Sequence, residues 1–165
     1  MKSTIITALL LCISLAVESH QPNQRYYALA DLAKAEVDRS ASQARVFAKE
    51  LLHLSTVEPK DWNYGNAVHF GNMVLGQVAL REGDIDKAEE YLLKSGATEG
   101  SPQLNSFGPN MTLAKELLEA NRSDAVLEYF DLCATFWKLS RGRLDEWRQQ
   151  VNLGEIPDFG ANLRY

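Results

Sequence analysis

The chain runs to 165 residues, 45% of them hydrophobic and 24% charged, with 10 Gly, 5 Pro and 2 Cys, the composition of one folded domain of ordinary size. That balance excludes a disordered tail, a collagen-like repeat and a disulfide-stapled scaffold. The 17 Lys and Arg against 22 Asp and Glu leave a net charge of -5 without a long basic run, which argues against a nucleic-acid partner.

Met1-Lys2 precedes an apolar run from Ile5 to Val17, which gives way to polar Glu18-Ser19-His20. A positive start, a short apolar stretch and the small residues Val17 and Ser19 predict a secretory signal peptide over residues 1–19. The run falls short of the roughly 20 residues that span a bilayer. The protein is therefore expected to be exported, periplasmic or secreted, with no membrane span after signal cleavage. Cleavage would remove Cys12 and leave Cys133 as the sole cysteine, so no internal disulfide can form. Phe130, Ala134 and Trp137, at helical spacing from Cys133, make it a buried apolar thiol.

The remainder is rich in Ala, Leu, Glu and Lys, with apolar residues at intervals of three and four and almost no alternating segments, which predicts an all-α fold. Leu29, Leu32, Ala33 and Val37 form one stripe; Ala44, Phe47, Ala48, Leu51 and Leu52 form the next. Asp38-Arg39-Ser40 is the turn between them, and Pro59 stops the second helix. Gly96 to Ser106 is expected to be an ordered loop, restricted by Ser101-Pro102 and Gly108-Pro109.

Sliding the chain by 38 residues pairs Asn72 with Asn110, Met73 with Met111, Leu75 with Leu113, Asp86 with Asp124, Glu90 with Glu128 and Tyr91 with Tyr129. Each copy reads as a helix, a tight turn at Gly83-Asp84 or Asn121-Arg122, and a second helix. Small residues at Gly76 and Ala114 let the helices of each hairpin approach closely. Because one hairpin cannot bury its apolar face alone, the copies must stack. Leu144, Trp147 and Val151 would cap the stack, with an extended tail from Gly154 onward. This gives a helical domain over residues 20–153 and a tail over 154–165.

Leu75-Gly76, Ala79, Gly83-Asp84, Ala88, Leu92 and Pro102 resemble the tetratricopeptide-repeat spacing. The stretch Gly100 to Met111, with Asp61 to Asn66 before it, is similar to a group of uncharacterised bacterial tetratricopeptide-like proteins. The resemblance implies antiparallel hairpins stacked as a short right-handed superhelix: two clear repeats, a degenerate first pair and a capping helix. It also implies a concave surface, lined by the first helix of each pair, where peptide ligands lie.

Counting outward from Leu75-Gly76 and Leu113-Ala114 puts Met73, Gln77 and Arg81, then Met111, Lys115 and Glu119, on that surface. The two Met fit core filling as well as a binding face. Their polar neighbours are mixed in sign and form no basic clamp. Asn72 and Asn110 recur in both copies and are read as helix capping or inter-helix bonding. Trp62, Tyr64, Asn66 and His69, unshared between copies, form a second candidate binding segment. No metal-ligand spacing, nucleophile elbow or phosphate loop appears, so no catalytic residue, metal or cofactor is expected. The resulting expectation is a non-enzymatic module that binds a protein or peptide. The alternative is a structural subunit of an envelope assembly that self-associates through apolar faces carrying Trp137 and Trp147.

Overall fold

The computed structural model describes residues 22–164; the expected signal peptide lies outside them. Eight α-helices follow one another: α1 Pro22–Glu36, α2 Ala41–Val57, α3 Tyr64–Arg81, α4 Ile85–Gly96, α5 Pro102–Phe107, α6 Thr112–Glu119, α7 Ser123–Phe136 and α8 Arg143–Asn152. A 3-10 turn, Gly160–Leu163, ends the chain, and the described residues contain no strand. The fold is all-α.

Local chemistry sets the helix ends. The Ser40 hydroxyl accepts from the Gln43 amide at 3.3 Å and starts α2, which buries Ala44, Phe47, Ala48, Leu51 and Leu54 along one stripe. Asp84 does the same for α4 through Lys87 N at 3.1 Å. The predicted loop from Gly96 to Ser106 is helical over its C-terminal part. Ser101 accepts from Leu104 N at 3.0 Å and Pro102 occupies the first turn, a start signal strong enough to nucleate α5.

The internal repeat reappears in the backbone. At the end of α3, Gly83 N donates to Leu80 O and Asp84 N to Ala79 O; at the end of α6, Asn121 N donates to Leu118 O and Arg122 N to Leu117 O. Every donor and acceptor is displaced by the same 38 residues. Both turns need a left-handed residue, Gly83 at φ +83° and Asn121 at φ +60°, the conformation that Gly and Asn adopt most readily.

Helix α3 is the central element, buried on almost every side from Gly65 to Ala79. Its three glycines each admit a different neighbour. A Cβ at Gly71 would press on the Leu52 side chain and the Ala48 carbonyl of α2. At Gly76 it would overlap the end of Leu113 from α6 and crowd Tyr91 of α4. At Gly65 it would overlap the carbonyl of Gly100, immediately before α5.

The expected extended tail is corrected. Phe159 is buried, edge-on to Trp147 at 4.9 Å between centroids and near Phe130 at 6.4 Å. Asn162 is buried too: its carbonyl accepts from Met111 N at 2.8 Å, and its side-chain amide donates to Pro109 O at 2.8 Å and Phe107 O at 3.1 Å. The carbonyls ahead of α6 need donors once buried, and the tail supplies them.

Candidate functional site

An open groove of about 310 Å³ crosses α1, α3 and the start of α6. Its walls include Lys34 from α1, Val37 and Asp38 from the turn after it, Gln77 and Arg81 from α3, and Asn110, Thr112 and Glu116 beside and on α6. Leu163 and Arg164, from the C-terminal turn, close one end.

Arg81 organises these walls. Its Nη2 donates to Glu116 Oε1 at 2.8 Å and its Nε to Asp38 Oδ1 at 2.9 Å, so one guanidinium ties α3 to α6 and to the turn between α1 and α2. Gln77 Nε2 donates to the same Glu116 oxygen at 3.2 Å. The Glu116 bond, more than the Asp38 bond, pushes the guanidinium pKa further up, and the charge is permanent. Glu116 Oε2 is buried without a hydrogen-bond partner.

The sequence-derived candidates divide. Gln77 and Arg81 line the groove. Met73 and Met111 are corrected to core residues, 1% and 0% exposed; Met73 touches only the groove floor. Lys115 and Glu119 fall elsewhere on α6. They lie outside the groove lining and pair with each other at 3.0 Å across one turn of α6. The groove face of α6 carries Thr112 and Glu116 instead.

The segment from Trp62 to His69 divides as well. Trp62 is 45% exposed and its ring lies 6.5 Å from that of Tyr27; Tyr64 is half-buried. Asn66 and His69 are internal latches rather than ligand contacts. Asn66 accepts from Ser101 Oγ at 2.7 Å and donates to Asn63 Oδ1 and Gln103 Oε1, both at 3.1 Å. His69 Nδ1 lies 3.2 Å from the Ser95 carbonyl, and its Nε2 accepts from Asn110 N at 3.0 Å.

A carbonyl can only accept and an amide can only donate, so the ring is neutral with its proton on Nδ1. Burial, the largest cause, lowers its pKa to about 4. Asn110, one residue before the N-cap Met111, accepts from Thr112 N at 2.8 Å, whereas Asn72 donates to Val68 O within its own helix at 2.8 Å. The recurring Asn residues thus serve the fold by different bonds.

Cys133 is buried, as its neighbours imply, and burial pushes its thiol pKa up. Trp137 and Trp147 are both buried, their rings 5.7 Å apart, so neither offers a face to a second copy. Among the described residues no group of His, Cys, Asp and Glu is placed to hold a metal ion, and no helix is long and apolar enough to cross a membrane.

Asp38, Thr112, Glu116 and the C-terminal turn were not visible as site residues in the sequence. The available signal was Arg81, a cation on a mostly apolar helix, which required carboxylates from neighbouring helices. Compared with known proteins, the chain matches no family profile, no curated protein and no solved structure.

Proposed function

We propose that the chain is an exported, tetratricopeptide-like helical-repeat module that binds a protein or peptide segment along the groove of α1, α3 and α6. In this reading α1–α2, α3–α4 and α6–α7 are three stacked hairpins of a short superhelix and α8 is its cap. The observation that carries it is the groove lining: the wall comes from the first helix of each successive pair, where an extended segment can run across all three. The recurrence of the turn bonds at 38 residues supports the same arrangement. The polar wall of Gln77, Thr112 and Glu116 offers donors and acceptors to a peptide backbone, and the mixed charges of Lys34, Arg81, Asp38 and Glu116 favour no single ligand charge.

A photoreactive residue at Arg81, compared with one at Glu128 on the exposed side of α7, tests the proposal in the exported fraction of the native cell. A discrete adduct from position 81 and none from 128 is expected. Equal labelling from both positions, or none from either, would remove the groove as the binding surface.

A further inference from the structure

The turn between α7 and α8 reads Trp137-Lys138-Leu139-Ser140-Arg141-Gly142-Arg143. It carries three cations in six residues on a chain whose net charge is -5. Among the described residues, none of the three forms an ion pair, whereas Arg25, Lys34, Arg45, Arg81, Lys87, Lys94, Lys115, Arg122 and Arg148 all do. Asp145 and Glu146 follow in the first turn of α8 without neutralising them through an ion pair.

The turn is held in place. Asn105 Oδ1 accepts from Lys138 N at 3.2 Å and the Asn105 carbonyl from Leu139 N at 3.3 Å, which fastens it to α5. The Arg143 guanidinium lies 5.8 Å from the Trp137 ring centroid, and Lys138 Nζ donates to Thr135 O. Arg141 adopts φ +54°, a backbone conformation that Gly or Asn would take at lower cost. At this end of the molecule Leu139 is 54% exposed, and Phe107, two residues beyond Asn105, is 56% exposed. Unpaired cations beside exposed apolar side chains match the boundary of an anionic bilayer, where phosphates meet the first methylenes.

We propose that this surface, Lys138, Leu139, Arg141 and Arg143 with Phe107, docks the protein on an anionic lipid membrane. Charge complementarity selects that occupant. The chain as a whole is acidic and would be repelled from such a membrane, so attraction must come from a local cluster and must weaken with salt. Leu139 and Phe107 then enter the interface instead of remaining in water.

The test is co-sedimentation of the full chain with phosphatidylcholine vesicles and with vesicles containing phosphatidylglycerol, read as the ratio of the two partition coefficients. An apolar leader acts on both vesicle types and leaves the comparison between variants intact. Wild type is expected to prefer the anionic vesicles, and Lys138→Gln/Arg141→Gln/Arg143→Gln to lose that preference by on the order of a hundredfold. Lys138→Gln/Arg141→Gln, which leaves Arg143 on Trp137, is expected to lose roughly thirtyfold. Leu139→Ser is expected to weaken binding to anionic vesicles by roughly tenfold, with circular dichroism unchanged in every variant. A triple variant that partitions like wild type would overturn the proposal. So would equal wild-type binding to both vesicle types, or retention on immobilised poly-glutamate without vesicle binding, which would assign the surface to an acidic protein.

Discussion

Protonating His69 puts an N–H against the Asn110 N–H that its Nε2 now accepts, in a site without access to water. The folded state therefore keeps the ring neutral down to about pH 4, while an unfolded chain takes up the proton near the ordinary 6.5. Between those values the unfolded state binds more protons, so stability must fall as pH drops. It is fully present above the unfolded pKa and lost progressively toward the folded one. At roughly 1.4 kcal/mol per pH unit the full loss is about 3 kcal/mol, with about 2 kcal/mol of it between pH 7 and pH 5. That is a large share of the roughly 5–15 kcal/mol that holds a domain folded. The corresponding drop in melting temperature is about 4–8 °C. The assay is thermal and urea unfolding at both pH values for wild type and His69→Gln, whose amide oxygen can still accept from Asn110. The variant should start less stable, having lost the ring packed 5.0 Å from Phe70, but should lack the wild-type excess slope. Identical slopes in the two proteins would refute the buried, Nδ1-protonated ring.

The close approaches along α3 predict unequal glycine substitutions. Gly65→Ala should lower stability by about 2–3 kcal/mol, because its methyl meets a backbone carbonyl that cannot swing aside. Gly76→Ala should stay within about 1 kcal/mol of wild type, since the end of Leu113 can move and alanine gains helix propensity; denaturant midpoints rank the two. Gly76→Leu should lower the melting temperature by several degrees, and an unchanged melt would remove Gly76 as a contact between helices. Cys133 should resist a thiol reagent at pH 8 until the protein unfolds, since burial raises its pKa; immediate labelling in the folded state would contradict that burial. Asn162→Ala should cost about 2–3 kcal/mol by leaving the Phe107 and Pro109 carbonyls without their donor. Hydrogen exchange should then speed up at the Met111 amide, which the tail protects.

Features set by local chemistry were legible before the structure. The Asp38–Ser40 break, the turns at Gly83 and Asn121, and the stripes of α2 and α3 follow from side-chain size, capping oxygens and a 3.6-residue period. Which face of α6 meets the groove is harder to read, because an eight-residue helix has little periodicity to count. His69 reads as a binding candidate in the sequence because both its partners are remote. Ser95 is 26 residues away and Asn110 is 41 residues away. Phe159 was read as tail because nothing near it in sequence foretells the Trp147 ring it packs against. Proximity of that kind is a property of the closed fold.

The remote contacts converge on one segment, and this bears on how the groove works. Residues 107–111 join α5 to α6 and include the Asn110 edge of the groove. Their backbone is held by the His69 ring at Asn110 N, by the Tyr129 hydroxyl donating to Asn110 O at 3.3 Å, and by Asn162 at Phe107, Pro109 and Met111. Three separate elements thus fix one wall before any ligand arrives. Elsewhere in the lining Arg81 spans Asp38 and Glu116. A bound segment would meet polar groups already in position, so the ordering cost of association would fall mainly on the ligand. The same arrangement links acid sensitivity to binding. Protonation of His69 in the folded state removes one of the three holds on this segment, so affinity in the groove should decline only as pH approaches about 4, below most of the range in which stability is lost. His69→Gln, which keeps an acceptor for Asn110 at all pH values, should bind with little pH dependence of its own.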